Sequence, residues 1–263
     1  MHRFYVPEFA RPAPFSGEQA QQIARVLRLR PGDRVELFDG RGRSAELLLE
    51  IVTPKAVAGT IVPGSERTVP WPLRARPVLY LALIRPQRFE WAIEKATELA
   101  AWRIVPLLTE RAAHSGSELS ESRLRRWRSI AIEAAEQCGS AYVPEIASPL
   151  ALPDALHEPA ALRLFASTAS GDDGGERLPV RTAVRELPGG AVRAAGAAAS
   201  SPDDLPETAV FVGPEGGFTD HELALAAGCR LVTLGPLTLR AETAALVALA
   251  ALGEALRDTP NAE

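Results

Sequence analysis

Apolar positions along the chain change their period part-way. Between Ser16 and Leu29, the residues Ile23, Val26 and Leu27 recur at helical spacing. Val35 and Leu37 then mark a short strand over 35–38, and Asp39-Gly40-Arg41-Gly42 is a turn signal. Strands follow over 45–52 and 57–62, so residues 1–70 read as a small β-barrel with one helix. The stretch 63–77 holds four prolines and Trp71 and reads as a linker.

From Val78 the texture differs. Residues 78–84 form a continuous apolar run, the pattern of a parallel strand buried on both faces. A helix over 89–101 places Ala92, Ala96 and Leu99 on one face and Lys95 and Glu98 on another. A strand over 103–108 follows, then a helix over 121–138 with Leu124, Trp127, Ala131, Ala134 and Cys138 at helical spacing. Short strands are predicted at 143–147 and 162–166. Residues 168–206 are dominated by Gly, Ala, Ser, Asp and Pro and read as a flexible insertion with one short helix near 180–186. Pattern returns with a strand over 208–212, then a helix opened by the capping box Thr219-x-x-Glu222 and closed at Gly228. A strand over 231–234 and an Ala/Leu-rich helix over 240–256 complete the chain. Alternating strands and helices over 78–257 predict a parallel α/β sheet.

Charge adds an asymmetry to this division. Residues 1–143 carry 21 Lys/Arg against 16 Asp/Glu, whereas residues 144–263 carry 8 against 17. A basic first half suits a polyanionic partner, and equally suits ordinary solvated faces. Cys138 and Cys229 lie far apart and suggest neither a disulfide framework nor a zinc site, which fits a reducing cytoplasm. No apolar run approaches the length that spans a bilayer, and the first residues lack the apolar stretch of a signal peptide.

Familiar nucleotide fingerprints are missing: there is no Gly-x-x-x-x-Gly-Lys-Ser/Thr, and no Gly-x-Gly-x-x-Gly after the first α/β strand. The four histidines form no local cluster, and no metal site is expected. Two strand–loop–helix junctions carry the candidate chemistry. Gly213-Pro214-Glu215-Gly216-Gly217 puts three glycines at the carboxyl end of a strand, where backbone can approach a ligand closely. Leu234-Gly235-Pro236-Leu237-Thr238-Leu239-Arg240-Ala241-Glu242-Thr243-Ala244 repeats the arrangement. Arg240 at a helix start runs against the helix dipole, which hints at another role.

Taken together, these segments resemble the ribosomal RNA small subunit methyltransferase E family of the SPOUT superfamily. Further anchors are Arg25-Val26-Leu27-Arg28, Glu94-Lys95-Ala96-Thr97-Glu98-Leu99, Arg103-Ile104-Val105-Pro106-Leu107 with Glu110-Arg111, and Trp127 with residues 133–137. The resemblance implies a PUA-like β-barrel that binds RNA over residues 1–72. It implies an α/β SPOUT methyltransferase domain with a C-terminal trefoil knot over 73–263. It also implies a homodimer, S-adenosylmethionine as cofactor, and 16S ribosomal RNA or the small ribosomal subunit as partner. The cofactor loops would hold Phe165, Ser167, Gly213, Pro214, Glu215, Gly216, Gly217, Leu234, Gly235, Leu239, Arg240, Thr243 and Ala244. Arg3, Arg25 and Arg28 are the RNA-contact candidates. The chain departs from the family at Gln22, where His is frequent, at Ala100, where Gly is frequent, and at Ser140, where Arg is common.

The implied reaction is methylation of uridine N3. That nitrogen is protonated at neutral pH and is then a poor nucleophile. Lowering its pKa by about two units takes roughly 3 kcal/mol of differential stabilisation. Arg111 or Arg240 could supply it through charge-assisted hydrogen bonds, and Glu136 or Glu242 could take the proton. Two other readings stay open on sequence: a SPOUT enzyme with a different RNA target, and a ribosome-binding factor without chemistry.

Overall fold

The computed structural model describes residues 1–9, 13–112, 119–167, 177–185 and 201–257. They fall into two compact units, Met1–Pro70 with Ala135–Val143, and Trp71–Ala134 with Pro144–Glu263.

The first unit is built on strands β1 (Arg3–Tyr5), β2 (Ala13–Ser16), β3 (Arg34–Phe38), β4 (Arg43–Val52), β5 (Ala56–Ile61) and β6 (Arg67–Thr68). They form one half-barrel sheet in the order β1-β3-β4-β5-β2, with β6 on β4. β1 runs parallel to β3 and the other pairs are antiparallel. A register shift between Leu49 and Ile51 interrupts the β4–β5 ladder, the kind of bulge that bends a strand. Alternation along the strands buries Phe4, Phe15, Val35, Leu37, Leu47, Leu49 and Val57 in one core. Helix α1 (Gly17–Gln21) runs on into a π-helical turn over Gln22–Val26. The wider turn breaks the i, i+3 relation that the sequence pattern assumed. Ile23 stays buried, but Val26 is 73% exposed.

The stretch expected to be a linker is ordered. It contains β6, and Tyr142 donates its hydroxyl to the Val69 carbonyl at 2.7 Å. The same tyrosine fixes a neighbouring turn. A Cβ on Gly42, whose φ is +97°, would lie 2.3 Å from the Tyr142 hydroxyl oxygen, so only glycine fits there.

The second unit has β7 (Arg76–Ala82), β8 (Arg103–Leu108), β9 (Glu145–Ile146), β10 (Leu150–Ala151), β11 (Leu162–Ala166), β12 (Leu178–Pro179), β13 (Glu207–Val212) and β14 (Arg230–Thr233). Their order is β10-β8-β7-β13-β11-β14-β12, with β9 on β8, and every pairing is parallel. The helices are α2 (Pro86–Glu98), α3 (Glu121–Cys138, of which residues from Ala135 on count with the first unit), α4 (Leu152–His157), α5 (Val180–Arg185), α6 (Asp220–Leu225) and α7 (Ala241–Leu256). β7 lies between β8 and β13, which is why its sequence is apolar at successive positions. Tyr80 stacks on Phe211 at 4.4 Å, and Phe89 of α2 stacks on Trp127 of α3 at 4.5 Å. Helix α7 buries Ala241, Ala245, Ala248, Leu249 and Leu252 against α2, α5, β7 and β13. Of the segment read as a flexible insertion, residues 168–176 and 186–200 lie outside the described residues, while 177–185 supply β12 and α5. Among the described residues no helix is long and apolar enough to cross a membrane.

Candidate functional site

Parallel strands all point their carboxyl ends the same way, and open α/β sheets place ligands beyond that edge. Here the segments leaving β8, β11, β13 and β14 meet there around a pocket of about 500 Å³. Ala166 and Ser167 line it from the end of β11, and Gly213, Pro214, Gly216 and Gly217 from the loop after β13. Thr233 ends β14, Leu234, Gly235 and Leu239 follow it, and Ala241 and Ala244 come from the first turns of α7. Among the described residues, Arg111, Arg177 and Asp220 are the charged ones that line it.

Two glycines keep this pocket open. Gly217 and Gly235 have φ of +68° and +135°, and an added Cβ at either would meet nothing within 4 Å. Gly213 has a different task, since its Cβ would lie 2.9 Å from the Phe218 ring. That ring packs at a tilt of 37° on Phe165, centre to centre 4.1 Å, and Phe165 is fully buried. Phe165 therefore supports the loop from beneath and does not line the pocket, whereas Ser167 does.

The other predicted site residues separate in the same way. Glu215 turns to Arg88, accepting from Nη1 at 2.9 Å, and neither it nor Thr243 is among the lining residues. Arg240 is the exposed N-cap of α7 and contributes no side-chain cap. Arg111 lines the pocket, and its Nη1 donates to the carbonyls of Gly216 at 3.0 Å and Phe218 at 3.2 Å. Glu242 is 7% exposed in the first turn of α7; its Oε1 lies 3.6 Å from Arg88 Nε, and its Oε2 is buried without a hydrogen-bond partner. Glu136 belongs to the first unit, where its Oε1 accepts from the Tyr5 amide at 2.9 Å.

The glycine loop is stitched to the segment after β8. The predicted capping box is present: Thr219 Oγ1 accepts from the Glu222 amide, and Glu222 Oε2 accepts from the Thr219 amide at 2.8 Å. Buried Glu222 has a second use, because its Oε1 accepts from the Glu110 amide at 2.9 Å. Glu110 returns the connection, accepting from the Thr219 hydroxyl at 2.9 Å and facing His221 Nδ1 at 2.8 Å. Hydrogen bonds from His221 and Thr219 hold the Glu110 carboxyl below its ordinary value.

In the first unit, Arg25 and Arg28 are exposed beside Val26 at the end of the π turn, and Arg28 has φ of +55°, a conformation that costs energy without glycine. Arg3 is enclosed instead. Its Nε lies 3.0 Å from Glu36 Oε2, and its guanidinium sits 5.0 Å from the centre of the Phe38 ring.

Sequence reasoning did not single out Asp220, Arg177 or Arg88. Asp220 was legible as the first residue after the cap Thr219. Arg88 left a weaker trace: a basic residue in the first turn of a helix, where the dipole disfavours it.

A half-barrel sheet in one unit and, in the other, a parallel sheet with a glycine-lined pocket at its carboxyl edge are the parts of an RNA methyltransferase with a PUA domain. Residues 72–253 match the RNA methyltransferase domain family, and residues 15–62 match the RNA methyltransferase PUA domain. The chain is 33% identical over 257 residues to the ribosomal RNA small subunit methyltransferase E of Mycobacterium bovis, covering 95% of this chain and 90% of that protein. It is 32% identical to the protein of the same name from Synechocystis, covering 90% of this chain and 71% of the other. Among solved structures, a ribosomal RNA small subunit methyltransferase E from Neisseria gonorrhoeae bound to S-adenosyl methionine superimposes with a TM-score of 0.76 at 28% identity, covering 96% of each chain. The chain belongs to the ribosomal RNA small subunit methyltransferase E family.

Proposed function

We propose that this protein transfers a methyl group from S-adenosylmethionine to N3 of a uridine in 16S ribosomal RNA, the position numbered 1498. The observation that carries this is the pocket at the carboxyl edge of the sheet. Its volume of about 500 Å³ lies within the range of small-molecule sites. Val212, Pro214, Leu234 and Leu239 give it apolar walls for an adenine ring, and the open backbone at Gly217 and Gly235 suits close approach by polar groups. The loops 213–217 and 234–239 and Ala244 would hold the cofactor, which supplies an electrophilic methyl group when bound.

This chain's own residues have two tasks: placing the uracil and easing loss of its N3 proton. We assign stabilisation of the uracil anion to Arg111, which lines the pocket with its Nη1 anchored on two backbone carbonyls. The exposed Arg240, at the N-cap of α7 and outside the lining of the pocket, is assigned to the RNA. Glu242, next to the lining residue Ala241 and with Oε2 unpartnered, is assigned as proton acceptor. The half-barrel with Arg25 and Arg28 is the RNA-binding unit. The base must leave its stack to react, so binding includes local remodelling of the RNA. The same reading includes the C-terminal knot, supported by the placement of β13 between β7 and β11, and a homodimer in the cytoplasm. Leu237, 77% exposed on the loop after β14, is apolar surface that such a dimer would cover.

The test is methyl transfer from labelled S-adenosylmethionine to small ribosomal subunits lacking the modification, followed by nucleoside analysis. The expected product is 3-methyluridine. A different methylated nucleoside overturns the target, and tight RNA binding without transfer overturns the chemistry.

A further inference from the structure

We infer that Arg88 is a positioning residue that ties the two cofactor loops together, through Glu215 on one and Glu242 on the other. The inference rests on the cofactor reading of the pocket given above.

Arg88 stands in the first turn of α2, following Arg85 at the N-cap and Pro86. A cation there opposes the helix dipole, and local helix chemistry gives no reason for it. The reason lies outside the helix. Nη1 donates to Glu215 Oε1 at 2.9 Å, and Glu215 sits inside the glycine loop that follows β13. Nε lies 3.6 Å from Glu242 Oε1 in the first turn of α7, the helix that follows the second loop. One guanidinium thus holds both loops, with two different nitrogens on two different carboxylates. The planar fork permits this, whereas a lysine ammonium is a point charge on a flexible stem.

The two halves of the link differ in enclosure: Arg88 is half-buried against the buried Glu242, whereas Glu215 lies at the exposed end with 44% of its side chain open to solvent. The pocket residues next to the anchors, Pro214, Gly216, Ala241 and Ala244, belong to the two loop–helix junctions. Their separation sets the width of the pocket. No main-chain hydrogen bond recorded among the described residues joins the 213–217 loop directly to the start of α7. The link also fixes Glu242, leaving its buried Oε2 as the oxygen with an unfilled acceptor site.

Calorimetric binding of S-adenosylhomocysteine tests this, using full-length wild type, Arg88→Met, Arg88→Lys, Glu215→Gln and the double variant Arg88→Met/Glu215→Gln. Arg88→Met keeps most of the stem and removes both links. Its Kd is expected to rise about tenfold or more, with KM for the cofactor rising in step and KM for the ribosomal subunit within twofold of wild type. Arg88→Lys should recover part of the loss. The double variant should be no weaker than Arg88→Met alone, because the link that Glu215→Gln breaks is already gone in Arg88→Met. An unchanged Kd in Arg88→Met overturns the inference, as does a double variant whose losses multiply. A melting temperature measured without ligand separates loosened loops from a destabilised fold: equal Kd changes in Arg88→Met and Arg88→Lys that follow the loss of melting temperature overturn the inference too. Failure of the wild type to bind S-adenosylhomocysteine overturns the cofactor reading itself, a result distinct from the others.

Discussion

The two ends of the parallel sheet solve opposite problems. At the amino ends, Arg76, Arg103 and Glu207 begin β7, β8 and β13, and side chains close on side chains. Arg103 Nη2 donates to Glu158 at 2.8 Å and to the Tyr80 hydroxyl at 3.2 Å, and lies 3.5 Å from Glu207. Arg76 adds a second cation, 3.5 Å from Glu207 and 5.2 Å from the centre of the Trp102 ring. Burial pushes the Tyr80 hydroxyl up to about 12, so it remains neutral within this network. At the carboxyl ends the loops are rich in glycine, and a pocket of about 500 Å³ remains between them. Charge there is used to hold loops: Arg111 on carbonyls, Arg88 on carboxylates. A closed ionic network rewards stability, whereas an open edge leaves room for a ligand. Substitutions at the two ends should therefore separate stability from function.

The largest expected effect is at the open end. Arg111→Met should lower turnover about 100-fold, as loss of one preorganised donor to a developing anion does. It should also loosen the glycine loop, because Gly216 and Phe218 lose their shared donor. Urea unfolding should change little, since Arg111 is exposed. Single-turnover kinetics with saturating cofactor reads the first effect. Turnover within threefold of wild type would remove Arg111 from the chemistry.

Arg103→Met reverses that signature. It strands Glu158, whose side chain is 34% exposed, and leaves Glu207 with Arg76 as its cation, and should cost about 2 kcal/mol in urea unfolding. Cofactor affinity of the folded protein should stay within twofold. A parallel loss of affinity would break the comparison, because the ionic end would then be shaping the pocket.

Sequence made the strands of this edge legible more readily than the linkages between its loops. Burial on both faces forces apolar runs, so β7, β8 and β13 stood out, and the capping box at Thr219 and Glu222 was readable because its partners are three residues apart. Arg88, Glu215 and Glu242 could not be read in the same way: Arg88 and Glu215 are 127 residues apart, and no local pattern records such a pair. The glycines were visible as a group, yet their roles were not. Gly213 packs on Phe218 while Gly217 faces open space, a difference set by tertiary contacts alone. The π turn over Gln22–Val26 was hidden for another reason, since one extra residue per turn leaves no compositional mark.

Ala100 offers a smaller and cleaner contrast, because sequence alone marked it as a departure. It follows α2 with φ of +57°, and the turn is a Schellman motif: Ala101 N–H donates to Ala96 O at 3.0 Å and Ala100 N–H to Thr97 O at 3.1 Å. An alanine there bears the left-handed penalty that glycine avoids. Ala100→Gly should stabilise the protein by about 1 kcal/mol in urea unfolding, the loss of unfolded-chain stiffness offsetting part of the gain. A destabilised variant would mean that the Ala100 methyl group contributes more through packing than its backbone conformation costs.

The smallest expected effect asks whether enclosure, and not the mere presence of an Arg–Glu pair, gives the amino end its stability. Glu90 on α2 accepts from Arg126 Nε at 2.6 Å and Nη2 at 2.7 Å, a shorter and more regular fork than any at Arg103. Yet Arg126 is 65% exposed, where water and salt screen the attraction. The Arg126 hydrogen bonds lower the Glu90 pKa from its ordinary 4.5. A carboxyl depressed in the folded state contributes stability above its unfolded value and loses it as the pH falls through the folded one. Glu90→Gln should therefore lower the melting temperature by about 1 °C at pH 7. The difference from wild type should shrink as the pH drops below the ordinary carboxylate range, and added salt at pH 7 should erase most of it. A loss at pH 7 as large as that of Arg103→Met would show that geometry, not enclosure, sets the worth of these pairs, and the contrast between the two ends of the sheet would need another cause.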